Sequence, residues 1–340
     1  MKVLLFELNS KSGTSVFNQI LFSYLRENMV DADIVRFPLW HEPVLDAMKI
    51  FGPYARKKKK YDFVHTSSNL GNCINAEVIT FHLMNAGEPH LKDLSLLKRW
   101  YWDSYMRRQE QEAVRHARII TAVSKYTAGK VKEVYGVSSE VIYNGIDTGK
   151  FKPLYLHRED LIKKLNLPPE YYDKKIIFFA GNATKRKGFD VVCAVMNILD
   201  DSYVCLTCGL RTSSGNKKIV SLGSVGYDTM PYVYNLSDVY FHPARAEGFG
   251  LTVAEAMACG KPVVCGNRTS LPELIIHGKG GLVCDVNPGD FVSAIQVLTG
   301  DPIRCKEMGE FNRAYCIEKF DYKIMGKKYE EVYSSLRNHM

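Results

Sequence analysis

At 340 residues, with 46% hydrophobic and 24% charged side chains, the chain has a globular composition and the length of about two domains at ~150 residues each. That excludes a disordered or collagen-like chain and a small disulfide scaffold, and nine cysteines at irregular spacings point to a reducing compartment. The net charge of +8 is spread over both halves and permits anionic partners without choosing among them.

In chain order, apolar runs alternate with helical patterns, which predicts an α/β fold with parallel sheets. Val3–Leu8 reads as a strand, followed by a polar loop through Gly13 and a helix from about Thr14 to Glu27. Asp33–Phe37, Phe63–Thr66 and Val78–Phe81 read as short strands, Leu94–Arg118 as a long helix and Ile119–Val123 as a buried strand. Ser124 is placed to cap a helix running to about Tyr135, and Glu140–Tyr143 is a further strand ending at the Asn144-Gly145 turn. The polar stretch from Asp147 to Lys175, with Pro153, Pro168 and Pro169 and a short helix near Arg158–Leu165, is the passage to a second unit. That unit opens with strand Ile176–Ala180, helix Phe189–Leu199 and strand Val204–Cys208. A last helix, Tyr322–Leu336, gathers Ile324, Tyr329, Val332, Tyr333 and Leu336 on one side. The expected division is residues 1–150, residues 151–318, and residues 319–340 as a helix packing back on the first domain. Two Rossmann-like units of similar size imply a cleft between them.

The richest segment runs from His242 to Pro262: a strand end, a loop bearing Gly248 and Gly250, and a short helix stopped by Gly260 and Pro262. The loop glycines let backbone approach a ligand, and a helix start near Thr252 offers unpaired N–H groups to a phosphate. Glu247 and Glu255 flank that start. Glu255 has a second reading, because Thr252-x-x-Glu255 has the spacing of a capping box, and Glu247 has one as a solvated loop acid. The second segment, Gly181-Asn182-Ala183-Thr184-Lys185-Arg186-Lys187-Gly188, sets three cations after a buried strand, where open α/β sheets bind ligands. It is not a P-loop, since no Ser or Thr follows the lysine. A solvated basic turn is the alternative, and it is the reading taken for Lys185. Cys205-Leu206-Thr207-Cys208 lacks the second pair that a zinc site needs and reads as strand packing.

Together with Asn144-Gly145-Ile146-Asp147 and the downstream Phe151 and Pro153, these segments resemble the family 4 retaining glycosyltransferases of the group 1 type. The resemblance rests on Glu247 and Glu255 separated by seven residues, and on Gly248-Phe249-Gly250-Leu251 and Glu255-Ala256-Met257-Ala258 between and after them. It implies a GT-B fold, two Rossmann-like domains facing an interdomain cleft, and transfer of a sugar from a nucleotide diphosphate to a hydroxyl acceptor. It also implies that Glu255 binds the donor ribose, that Glu247 contacts the transferred sugar, and that backbone at Phe249, Gly250, Leu251 and Thr252 holds sugar hydroxyls and diphosphate. Val225 falls in the base-contacting loop, His82 matches an N-domain histidine beside the donor sugar, and Gly13 and Gly181 belong to the donor-binding loops. His82 can equally be an ordinary strand-end histidine.

One departure stands out: Asn182 occupies the position where the family usually has Arg, while Lys187 is retained. Arg186 is the candidate replacement at the leaving phosphate. No metal and no cofactor beyond the donor is expected. Asp31-Ala32-Asp33 has the spacing of a metal pair but reads as a turn before a strand. A glycan or lipid-linked acceptor and a cytoplasmic location, peripheral at a membrane face, are expected. The cation and aromatic mixture at residues 56–60 and 98–108 suits an anionic lipid surface. The alternatives are a solvated loop and an amphipathic helix. No run of ~18 apolar residues offers a span, and Glu7 interrupts the first apolar run too early for a signal-peptide core. No nucleic-acid signature accompanies the charge. The competing functional readings are a nucleotide-sugar epimerase-like enzyme and a non-catalytic nucleotide- or glycan-binding module.

Overall fold

The computed structural model describes residues 1–9, 13–38, 60–67, 75–84, 107–210 and 215–338, together with positions 100 and 104. The chain divides into two compact units, Met1–Gly145 with Tyr322–Met340, and Ile146–Asp321.

Unit 1 is built on a six-stranded sheet in the order β2-β1-β3-β4-β5-β6, parallel throughout. Its strands are β1 (Lys2–Asn9), β2 (Asp31–Pro38), β3 (Phe63–Ser67), β4 (Val78–Phe81), β5 (Ile119–Ala122) and β6 (Glu140–Val141). Both faces of a parallel sheet are covered, so alternate residues of one strand enter different cores. Val3 and Leu5 pack with Phe17, Leu21 and Leu25 of α1 (Gly13–Glu27) and with Met325, Tyr329, Val332, Tyr333 and Leu336 of the last helix. Leu4 and Phe6 face Val64, Ile79, Ala113 and Val131 on the other side. Helix α2 (Arg107–His116) is the described part of the long helix expected from Leu94; residues 94–99 and much of 101–106 lie outside the described residues. Helix α3 (Lys125–Tyr135) starts where its cap residue predicts: the Thr127 amide donates to Ser124 Oγ at 3.1 Å, and Gly136 closes it in the left-handed conformation.

A set of polar side chains beside the first core is paired. His65 Nδ1 lies 2.6 Å from Tyr333 Oη and its Nε2 lies 2.7 Å from Thr80 Oγ1, while Tyr329 Oη reaches Thr80 and Thr121 at 3.0 and 3.2 Å. Burial lowers the His65 imidazole to about 3, so the neutral ring can donate through one nitrogen and accept through the other.

Unit 2 carries a second parallel six-stranded sheet, in the order β12-β11-β10-β7-β8-β9. Its strands are β7 (Lys175–Ala180), β8 (Tyr203–Cys208), β9 (Ile219–Ser221), β10 (Val239–His242), β11 (Val263–Gly266) and β12 (Gly281–Cys284). Helix α4 (Arg158–Lys164) precedes β7. After it come α5 (Phe189–Ile198), α6 (Met230–Leu236), α7 (Leu251–Ala258), α8 (Leu271–Leu274), α9 (Pro288–Thr299) and α10 (Pro302–Phe320). The closing helix α11 (Tyr322–Asn338) belongs to unit 1. From β7 the chain builds outward to β8 and β9, then returns to place β10 on the other side of β7. The switch point, where open α/β sheets bind ligands, is therefore at the carboxyl ends of β7 and β10. Among the described residues no helix is long and apolar enough to cross a membrane.

One expectation is corrected and one alternative reading is excluded. Asp31 and Asp33 lie within β2 rather than in a turn before it; Asp31 sits 3.3 Å from Lys2 Nζ and Asp33 accepts a hydrogen bond from Tyr61. The capping-box reading of Thr252 and Glu255 fails as well, because α7 starts earlier, with Gly250 at its N-cap in the left-handed region (φ 106°). Thr252 is thus already inside the helix, and Glu255 is one turn too deep to reach a cap amide.

Candidate active site

The two loops at the unit 2 switch point are locked to each other. Gly188 ends the basic loop at φ 76°, and a Cβ there would lie 2.1 Å from the Pro243 carbonyl oxygen, so only glycine allows the β7 loop to press against the exit of β10. The Arg245 amide donates to Arg186 O at 2.8 Å. Its guanidinium donates to Lys185 O at 2.7 Å and grips Asp190 through both carboxylate oxygens at 2.7 and 2.8 Å. These hydrogen bonds hold the Asp190 carboxyl below its ordinary range.

The clamp brings cations onto Glu247. Lys187 Nζ donates to Glu247 Oε1, His242 Nε2 lies 3.1 Å from the same oxygen, and Arg186 Nη1 stands 3.7 Å from the other. Arg186 Nη1 also donates to Ala246 O at 2.9 Å. The Glu247 amide donates to Thr269 Oγ1 at 2.9 Å, which fixes the backbone behind the carboxylate. Burial opposes ionisation here, but the Lys187 charge, with His242 and Arg186, overcomes it and holds the Glu247 carboxyl well below the ordinary range. His242 is lowered by its burial in spite of Glu247. Glu247, at 8% exposure, is therefore no solvated loop acid, and Arg186 and Lys187 turn inward onto it while Lys185 stays exposed, as a solvated turn residue would.

Glu255 has the opposite environment. The Tyr234 hydroxyl donates to its Oε2 at 2.7 Å. Burial raises the carboxyl to about 7, against the smaller effect of that hydrogen bond. Tyr227, in the loop before α6, lies within the field of Glu255. Its ring meets Phe151 edge-on at 5.2 Å and carries Lys150 Nζ 4.4 Å above it. Neither Tyr227 nor Tyr234 was legible as a site residue, since each needs the fold to bring it beside Glu255.

The remaining expected residues fall as follows. Gly181 and Asn182 stand at the exit of β7; Asn182 is exposed and accepts from Thr184 Oγ1 at 2.8 Å, a contact inside its own loop. Phe249 is buried against Phe320, with ring centroids 5.5 Å apart, so only its backbone is offered to a ligand. Gly250, Leu251 and Thr252 form the start of α7, and Val225 is half-buried in the loop after β9. Gly13 and His82 belong to unit 1. Gly13 is the exposed first residue of α1, and His82 follows β4 with its ring 4.7 Å from that of Phe17. Burial lowers the His82 imidazole to about 4.

Among the described residues no group of three or more His, Cys, Asp or Glu side chains is placed to hold a metal. Cys205 and Cys208 are buried free thiols in β8, and burial pushes Cys208 up to about 12. Residues 56–59, 98, 99, 101–103, 105 and 106 of the cation and aromatic stretches lie outside the described residues.

Comparison with known proteins matches residues 158–315 to the family model described as glycosyl transferases group 1, and residues 23–150 to that of glycosyltransferase family 4. The chain is 25% identical over 245 residues to the GDP-mannose-dependent alpha-(1-6)-phosphatidylinositol monomannoside mannosyltransferase of Mycolicibacterium smegmatis, covering 65% of this chain and 63% of that one. A shorter stretch of 85 residues is 47% identical to O-antigen chain mannosyltransferase B of Escherichia coli, covering 24% of this chain and 22% of the relative. Among solved structures, sucrose-phosphate synthase from Thermosynechococcus elongatus superposes with a TM-score of 0.83 at 17% identity, with both chains covered completely. That likeness concerns the fold, which is GT-B.

Proposed function

Because the chain belongs to the group 1 glycosyltransferases, with an N-terminal half of the family 4 type, we propose that it transfers mannose from GDP-mannose to a sugar hydroxyl of a glycan or lipid-linked acceptor. The named mannosyltransferase relatives support the choice of donor. The observation that carries the site assignment is the convergence of Lys187, Arg186 and His242 on Glu247 at the unit 2 switch point.

Breaking the bond between sugar and nucleotide leaves positive charge on the ring and negative charge on the departing diphosphate. The chain offers fixed charge for each. Glu247, held ionised, is the anion beside the ring. Lys187 has three N–H donors and gives one to Glu247, so the others serve the phosphate together with the amides that open α7. Arg186 adds its guanidinium beside Lys187, in place of the arginine that Asn182 displaces. Glu255 and Tyr234 receive the ribose hydroxyls, and Val225 lies by the base. In this reading the configuration of the sugar is retained, the departing phosphate takes the acceptor proton, and no metal is required.

The test is turnover of GDP-mannose with methyl α-D-mannopyranoside as acceptor, followed by proton NMR. The expected result is an α-linked product formed equally well with chelator present. A β-linked product overturns retention, and a chelator-sensitive rate overturns metal independence. A mannosyl ester trapped on Glu247 in the intact protein would replace same-face attack by a covalent route. Asn182 favours one other reading, a non-catalytic binding module; tight GDP-mannose binding without turnover decides for it, and GDP release that depends on acceptor decides for the transferase.

A further inference from the structure

Strand β10 ends on a polar residue that its own alternation buries. Val239 and Phe241 point into the main core of unit 2, so Tyr240 and His242 share the opposite face. Their rings stack there, with centroids 5.9 Å apart and planes at 20°. Phe178 and Tyr234 close around Tyr240 at 5.6 and 5.5 Å, and His242 is fully buried. Packing therefore fixes the plane of the imidazole before any ligand arrives.

Its hydrogen bonds decide which nitrogen carries the proton. Nε2 lies 3.1 Å from Glu247 Oε1, and an ionised carboxylate only accepts, so the N–H is on Nε2. Nδ1, 3.3 Å from Tyr240 Oη, is left to accept the phenol proton. The Thr252 side chain and the Ala180 backbone both favour the phenol oxygen as an acceptor, which leaves its own proton for His242. The charged and titratable groups around the ring are Glu247 in the loop after β10, Lys187 and Arg186 in the basic loop, and Tyr240 on β10. Burial and the two cations keep the imidazole neutral against the pull of Glu247.

This arrangement gives Glu247 an orientation that Lys187 alone does not. An ammonium carries three rotatable donors on a flexible stem and can follow a carboxylate through a rotation. A ring N–H held in a stack points one way. Lys187 and His242 both donate to Oε1, whereas Oε2 stands 3.7 Å from Arg186 Nη1, beyond hydrogen-bond length. The two oxygens of one carboxylate are thus made unequal.

We propose that His242 is a positioning residue for sugar transfer: kept as the Nε2–H tautomer by Tyr240, it holds Glu247 Oε1 and so aims Oε2 at the sugar ring. The proposal rests on the glycosyltransferase reading. Two amide substitutions separate the ring nitrogens, because a Gln N–H reaches the Nε2 position and an Asn N–H only the Nδ1 position. His242→Gln should keep kcat within about threefold of wild type, and His242→Asn should lose about tenfold. The KM for GDP-mannose and the thermal shift given by GDP should stay unchanged in both. Equal kcat in the two variants, or a loss carried by KM, overturns the proposal. Long-range proton–nitrogen NMR of the wild type, labelled at its histidine nitrogens, reads the tautomer without any substitution. The expected spectrum shows His242 protonated on Nε2 and bare on Nδ1 from about pH 6 to 8. A ring protonated on Nδ1, or on both nitrogens, overturns the proposal even where the variants do not fold. If the wild type neither shifts with GDP nor consumes GDP-mannose, the glycosyltransferase reading fails, while the spectrum still decides whether His242 holds Glu247.

Discussion

Glu247 and Glu255 are the same residue type eight positions apart, and their surroundings divide them. Glu247 is held ionised by cations, and removing Lys187 strips the closest of these. Lys187→Ala is expected to lower kcat by ~10²–10³-fold, in line with the loss of one preorganised charge donor, and to lower folding stability by ~1–3 kcal/mol; kinetics and thermal denaturation check both. Glu255 is a carboxyl raised to about 7 by burial. A group raised in the folded state contributes stability that is fully present below the ordinary carboxylate range and is lost as pH rises through about 7. The thermal midpoint of the ligand-free protein should therefore fall across that interval, and Glu255→Gln should flatten the fall. A ribose bound by the carboxylate reverses the sense, so GDP affinity measured by calorimetry should rise through the same pH range. The glutamate pair itself was readable from spacing. Its division of labour was not, because Lys187 is 60 residues from Glu247 and Tyr234 is 21 from Glu255.

At the scale of elements, the basic loop works only where Arg245 and Asp190 hold it. Arg245→Lys keeps the charge but loses the two-pronged grip, so Lys187 and Arg186 lose their aim. About a tenfold fall in kcat is expected, with little change in the KM for GDP-mannose. Asp190→Asn should give a similar fall, and the double variant should be no worse than either alone, a coupling that steady-state kinetics measures directly. Strands and helices with strong apolar patterns were legible in the sequence, and so was the Ser124 cap, because their causes are local. The start of α7 was legible to within a residue, near Thr252 against the observed Leu251. What excludes the capping box is Gly250 at the N-cap, in a loop that Ser270 braces from outside the segment, its Oγ 3.0 Å from both Glu247 O and Phe249 O.

For the molecule as a whole, the decisive feature is that α11 completes a unit begun by residue 1. The paired His65, Thr80 and Thr121 were invisible in sequence because their partners Tyr333 and Tyr329 lie more than 200 residues away. A chain ending at Asp321 uncovers the Val3, Leu5 and Phe17 core and orphans the His65 imidazole. Its calorimetric trace should lose the transition of unit 1 and keep one that GDP still shifts upward. The same break in the chain also dictates a timetable. During synthesis the middle of the sequence is finished before the first unit can close, for roughly 10–35 s at ribosomal speeds of ~5–20 residues per second. For that interval the newborn N-terminal sheet presents an unsealed apolar face to whatever is nearby. The protein's yield in a cell should accordingly depend on chaperones that hold nascent chains.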